Sequence, residues 1–273
     1  MVASRGRSWI EALASPARVV CFDAQPSVVF ANGSLGGSNA LFVSVVPDPS
    51  SRFARARNGE VGVQEGWAVA QLVRDTIAAD RDGSRRSIIA VVDVPGQAYG
   101  RVEESAGIHL ACAAAVHACA DARLAGHPVI ALLVGNAMSG AFLAFGYQAN
   151  RIIALNDPQV LVQAMGRQSA ARITRRSIAE VDALGESALP MSYRIDTFAR
   201  FGLLHALIEG VDADAPSAAD VDRVRKMVAT ASDEVRASGR KDLGHRLESA
   251  AARTMRHASI EVRRRLAEQW QDP

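Results

Sequence analysis

The sequence predicts an α/β fold built on a parallel sheet, and three observations carry that reading. Ser87–Val94 and Val129–Val134 are short, β-branched apolar runs of the kind buried on both faces. Between them, Glu103 to Gly126 is long, Ala-rich and free of proline, which reads as a helix, with Gly126 and Pro128 as its stop. Strand, crossover helix, strand is the parallel βαβ unit. Both strands then run into glycine-bearing loops, Pro95-Gly96-Gln97-Ala98-Tyr99-Gly100 and Gly135-Asn136-Ala137-Met138-Ser139-Gly140. Folds of this class place ligands at such strand ends.

Taken in order, residues 1–18 read as a lead-in helix with Trp9, Ile10 and Leu13 at helical spacing. Val19–Asp23, Ser27–Phe30 and Leu41–Val46 read as strands, with a Gly/Asn/Ser stretch from Asn32 to Asn39. No Gly-Lys-Ser/Thr follows its glycines, so it is not a P-loop. Pro47 to Gly62 is polar, and its Arg52, Arg55 and Arg57 cluster reads as solvated in preference to an anion or partner contact. In Val63–Ala79, Val63, Trp67, Ala70, Val73 and Ile77 share one face, which predicts a helix. Beyond the βαβ unit, Ala141–Ala149 reads as a helix and a strand follows to Leu155. Val160–Ala164 is a short strand, and Ser169–Arg175, Ile178–Leu184 and Phe198–Ile208 are helices.

From Pro216 the character changes. Ser217 caps a charged helix to about Ser238, Gly239 and Gly244 interrupt it, and an amphipathic helix continues to about Trp270. Its weak apolar stripe, from Leu243 to Gln269, suits an outer helix packed on the core or on a partner subunit, and equally a plain packed surface helix. The expected division is a domain over 1–215 and a helical extension over 216–273.

Composition narrows the class. A chain of 273 residues with 49% hydrophobic and 22% charged content is globular. The net charge of +2 predicts no general attraction to nucleic acid or membrane. No apolar run approaches the ~18 residues of a membrane span. Arg5 and Arg7 near the start are not followed by an apolar signal-peptide segment, and a cytoplasmic location is expected. Cys21, Cys112 and Cys119 are too scattered for a disulfide framework. His109, Cys112, His117 and Cys119 share one helix, which cannot close a tetrahedral metal site, so no metal is expected.

Few side chains invite acid–base or nucleophilic roles. Ser139 touches Gly140 directly and so lacks the Gly-x-Ser-x-Gly spacing of a nucleophile elbow; capping the following helix suits it better. Glu103 and Glu104 fit the first turn of a helix for dipole reasons alone. Tyr99 either packs on the helix or meets a substrate carboxylate. The glycine loops themselves suggest chemistry of another kind. Backbone N–H groups, one from each loop, could hold a thioester oxygen as it turns negative. Ordinary tight turns would read the same way.

The motifs decide in favour of a site. Asp93-Val94-Pro95-Gly96-Gln97-Ala98-Tyr99, Glu103-Glu104, Gly126-His127-Pro128 and Gly135-Asn136-Ala137-Met138-Ser139-Gly140-Ala141 resemble the carboxyltransferase α-type domain of the crotonase superfamily. Ala137 and Met138 stand where that family has a glycine pair, a departure from its biotin-dependent members. With Ser4 to Trp9, Val46 to Arg57 and Gly59 to Trp67, nearly the whole chain is similar to the γ subunits of biotin-independent malonate decarboxylases. The resemblance implies a ClpP/crotonase-type spiral of ββα units with a C-terminal helical extension. It also implies a homologous β subunit as heterodimer partner, an acyl carrier subunit bearing a phosphoribosyl-dephospho-coenzyme A group, a separate α acyl-carrier transferase subunit, and no biotin. Together these would decarboxylate a malonyl thioester. Gly96, Gln97, Ala137 and Met138 would then be catalytic through the main chain, with Tyr99, Gly135, Asn136, Ser139 and Gly140 binding substrate. Two other readings stand beside it: a biotin-dependent carboxyltransferase α subunit, and a non-catalytic scaffold that completes a partner's site.

Overall fold

The computed structural model describes residues 4–23 and 25–270. Residues 1–3 of the expected lead-in helix lie outside the described residues. Helix α1 (Arg5–Ala14) starts at Ser4, whose hydroxyl accepts the Arg7 N–H, and it buries Trp9, Ile10 and Leu13 completely. Three antiparallel strands follow, β1 (Val20–Phe22), β2 (Gln25–Leu35) and β3 (Ser38–Val45). Strands β2 and β3 form one hairpin through the Asn32–Asn39 stretch, turning at Gly36-Gly37.

Helix α2 (Val63–Ala79) and strand β4 (Ser87–Val94) have the bounds that periodicity predicts. The long crossover helix is broken in two, α3 (Arg101–Ser105) and α4 (Ile108–Leu124), because Gly107 adopts a left-handed conformation at φ +83° between them. Strand β5 (Val129–Met138) is longer than expected. Gly135 to Met138 do not form a loop but continue the strand, with Ala137 opposite Val94 on one side and Val162 on the other. Helix α5 (Ser139–Phe145), strand β6 (Arg151–Leu155) and the short strand β7 (Val162–Gln163) complete this part.

Helices α6 (Arg167–Thr174), α7 (Ile178–Ser187) and α8 (Ile195–Arg200) come next, then strand β8 (Ala206–Ile208). The helix expected over Phe198–Ile208 ends at Arg200, because Ala206–Ile208 pairs in parallel with Ile153–Leu155. Helix α9 (Ala218–Ser238) starts at Ser217, whose hydroxyl accepts the Asp220 N–H. The final amphipathic helix is interrupted: a short 3₁₀ turn at Gly244–Leu247 precedes α10 (Ala250–Met255) and α11 (His257–Gln269).

The strands lie in the order β1-β2-β3-β4-β5-β6-β8, with β7 beside the end of β5, and everything from β3 onward is parallel. Each crossover covers the sheet with helices, so β4 and β5 are apolar almost throughout. Helix α1 packs on β2, β3, β4 and β5, and the Trp9 indole N–H donates to the Ala213 carbonyl at 2.8 Å. Val224, Val228, Ala231 and Val235 of α9 join the same core. Among the described residues no helix is long and apolar enough to cross a membrane.

Candidate functional site

Because Val94 lies opposite Ala137, the C-terminal ends of β4 and β5 bring Pro95–Gly100 against Met138–Gly140. Asp93 joins the two strands. Its carboxylate accepts the Asn136 N–H at 3.0 Å and the Gly6 N–H at 3.4 Å. A side chain at Gly135 would overlap that carboxylate, so glycine there is a packing requirement. Gln97 makes the second link, its side-chain oxygen accepting the Gly140 N–H at 2.8 Å. Gly96 holds φ +150°, a conformation that L side chains rarely adopt, and a Cβ there would sit 3.7 Å from Ser139 Oγ.

Ser139 does not cap α5 with its side chain. It is the first helical residue and carries φ +58°, left-handed backbone of the strained kind that clusters at functional sites. Met138 occupies the cap position without a side-chain hydrogen bond. Its side chain packs with Ala170, Ala171, Val181 and Tyr193 in a small second core.

Accounting for the main-chain donors redraws the expected oxyanion hole. The Ala137 N–H is not free: it donates to the Leu161 carbonyl at 2.8 Å. The Gly140 N–H is held by Gln97, and the Ala98 N–H by the Val61 carbonyl at 2.8 Å. On the first loop, the N–H groups of Gly96 and Gln97 meet no acceptor among the described residues. The first loop therefore offers open donors, and Ser139 of the second forms the wall that Gly96 faces.

Tyr99 extends outward from this loop and is 49% exposed. The Arg55 guanidinium stacks on its ring at 4.3 Å, and its hydroxyl is 3.4 Å from Ser169 Oγ. Arg55 is thus not simply solvated. Burial works against its charge, but the Glu60 carboxylate at 2.9 Å outweighs it and lifts the guanidinium pKa above its ordinary value. Glu103 lies 3.9 Å from the same guanidinium, and Glu104 is exposed. An apolar cavity of about 310 Å³ opens beside Ser139, walled by Phe142, Leu143, Tyr147, Val162 and Phe198. Burial pushes the Cys119 thiol up to about 12, which removes it as a nucleophile. Among the described residues no three His, Cys, Asp or Glu side chains converge on a metal position.

Asp93, Arg55, Ser169 and Gly6 were not singled out as site residues by sequence reasoning. Asp93 carried a signal, since it opens the motif that ends in Pro95-Gly96. Gly6 and Ser169 carried none, because nothing local shows which strand end they reach.

The family model for the malonate decarboxylase gamma subunit matches residues 56–270. A curated protein of Malonomonas rubra, named malonyl-S-ACP:biotin-protein carboxyltransferase MADD, is 32% identical over 192 residues, spanning 68% of this chain and 66% of that one. That match covers just under two thirds of the relative. A crystal structure of a Pseudomonas malonate decarboxylase MdcD-MdcE hetero-dimer contains a chain 50% identical, with a TM-score of 0.89 over 98% of this chain and 100% of that one. The transcarboxylase 12S core is 22% identical with a TM-score of 0.63, over 86% of this chain and 42% of that one, a likeness in fold alone. The sheet order, the paired strand ends and these matches agree on a crotonase-like carboxyltransferase fold, and the chain belongs to the malonate decarboxylase gamma subunit family.

Proposed function

We propose that this chain is the γ subunit of a biotin-independent malonate decarboxylase and that it works as half of a catalytic pair with a homologous β subunit. The pair converts a malonyl thioester on an acyl carrier subunit into the acetyl thioester and carbon dioxide. The observation that carries this reading is the pair of unengaged N–H groups at Gly96 and Gln97, beside the strained Ser139.

Loss of carbon dioxide needs no base. The bond between the malonyl carboxylate and the α-carbon breaks, and its electron pair moves onto the thioester oxygen as an enolate. Preorganised N–H donors aimed at that oxygen act only as the charge develops, and one such donor is typically worth about 2.7–4 kcal/mol. A proton then goes to the α-carbon. Because the Ala137 and Gly140 donors are spent inside the chain, the partner supplies the remaining donors and the proton. The hetero-dimer in the Pseudomonas structure supports a two-chain site. The apolar cavity beside Ser139 offers room for an acyl thioester. We further propose that the carrier bears a phosphoribosyl-dephospho-coenzyme A group, that a separate α subunit exchanges acetate for malonate on it, and that the complex is cytoplasmic. Three free cysteines suit a reducing compartment.

The name of the Malonomonas relative favours a second reading, in which the carboxyl group passes to biotin on another protein. One assay separates the two. Malonyl-thioester turnover is measured for the chain alone, with its β-type partner, and with avidin added. The expected result is negligible turnover alone, full turnover in the complex and no effect of avidin. Full turnover by the single chain would refute the two-chain site, and inhibition by avidin would establish the biotin reading.

A further inference from the structure

At the other end of the sheet, the starts of β3, β4 and β5 border a second cavity of about 520 Å³. Strand β4 has 8 residues, which at ~3.3 Å per residue separates it from Gly96 by roughly 25 Å. Arg85, Arg86, Arg123, Arg236, Arg240 and Lys241 line it, and among the described residues no Asp or Glu does. Two of these charges are answered from outside the cavity, Arg86 by Asp80 at 2.6 Å and Arg240 by Asp242 and Glu248 at 2.8 Å.

Arg85 and Arg123 meet neutral groups, and Arg236 reaches a carboxylate only at 4.0 Å. Arg85 donates to the Ala125 carbonyl at 3.2 Å, and Arg123 to the Lys241 carbonyl at 3.0 Å. Arg236 donates to Ser87 Oγ and to the Arg85 carbonyl, with its nearest carboxylate, Asp233, at 4.0 Å. Lys241 has no side-chain acceptor among the described residues. Carbonyl partners satisfy N–H groups but cancel no charge. Holding backbone carbonyls at the end of α4 and just before β4 accounts for Arg85 and Arg236 individually; it does not account for so many cations around one space without a carboxylate among the described residues. Two buried nitrogens sharpen the point. Arg123 Nε has no partner among the described residues. His127, 1% exposed, sits with Nδ1 3.0 Å from the Arg86 carbonyl, and its Nε2 is also unpartnered.

We propose that this cavity binds a phosphate-bearing small molecule, whose oxygens take the open donors of Arg85, Arg123 and Lys241. Guanidinium forks match phosphate oxygens in geometry and charge. The volume lies in the ~300–1,000 Å³ range of small-molecule sites and leaves room for an organic group beyond the phosphate.

The test is calorimetric titration of the full chain, alone and with its partner, at constant ionic strength. The probes are inorganic phosphate, adenosine monophosphate, and adenosine as the uncharged control. Lys241→Gln and Arg123→Gln are titrated in parallel. Lys241 is exposed and holds no side-chain partner, so its variant keeps the fold even if Arg123→Gln does not. The expected result is saturable binding of phosphate or its ester at millimolar concentration or below, weakened about tenfold in each folded variant. Equal affinity for both anions identifies free phosphate as the ligand; tighter binding of the monophosphate identifies an ester. Decarboxylase turnover of the variant complexes should be unchanged. Absence of saturable binding of either anion, or unchanged affinity in Lys241→Gln, would overturn the proposal.

Discussion

Gly96 is where conformation, packing and chemistry meet in one residue. Its φ of +150° is accessible to glycine at little cost, and its N–H is open. Gly96→Val should move that N–H and reduce turnover of the assembled complex by ~10²–10³, the usual loss for one oxyanion donor. Met138→Leu is the contrast. The Met138 side chain fills a small core with Ala170, Ala171, Val181 and Tyr193, so the change should cost less than about 1.5 kcal/mol of stability and leave turnover close to wild type. Both are measured at matched assembly, verified by gel filtration. Normal assembly and wild-type turnover in Gly96→Val would mean that this loop only scaffolds the partner's site.

At the scale of elements, two contacts set how helices join the sheet. Asp80, at the end of α2, accepts from the Arg86 side chain and from the Arg86 N–H at 3.0 Å, tying the helix to the start of β4. Burial alone would raise the Asp80 pKa; the hydrogen bonds from Arg86 outweigh it and hold the carboxyl below its ordinary 3.8. A carboxyl depressed in the folded state stabilises the fold above its unfolded pKa and loses that contribution as pH falls through the folded value. Unfolding in urea should therefore show a stability loss below about pH 4. Asp80→Asn should flatten that acid limb and cost about 1–3 kcal/mol at neutral pH.

The second contact is between α2 and α4, where a Cβ on Gly66 would lie 3.0 Å from Ala111 backbone and side chain. Gly66→Ala gains helix propensity but forces the helices apart. A net loss of about 1–3 kcal/mol is expected, read from the urea midpoint. A gain in stability would show that the helix pair yields more easily than this packing implies.

For the molecule as a whole, the sheet shares one core with α1, α2, α4, α5, α8 and α9, α6 and α7 join the small core around Met138, and α11 buries no residue. Its Val262 and Leu266 are 56% and 47% exposed, which is unusual for the apolar side of an amphipathic helix. Ending the chain after Arg256 should shift the unfolding free energy of the isolated chain by less than about 0.5 kcal/mol. The same truncation, tested by co-purification with the β-type partner, shows whether the exposed stripe belongs to the interface. A large loss of stability in the isolated chain would place α11 in its own fold instead.

What the sequence determined by itself is what local pattern encodes. Apolar periodicity located α2, β4 and the crossover between β4 and β5, and the motif around Asp93 to Tyr99 pointed to the strand end that carries the open donors. The tertiary structure decided what depends on distant partners. Gly135 to Met138 are glycine-bearing and read as a turn, yet they extend β5 because β4 and β7 supply ladders on both sides. Ala206–Ile208 reads as helix and becomes strand for the same reason, β6 lying beside it. Above all, whether an N–H is free is not a local property. Leu161 and Gln97 take the donors of Ala137 and Gly140, leaving Gly96 and Gln97 open, and hydrogen bonds across such sequence separations exist only once the chain has folded.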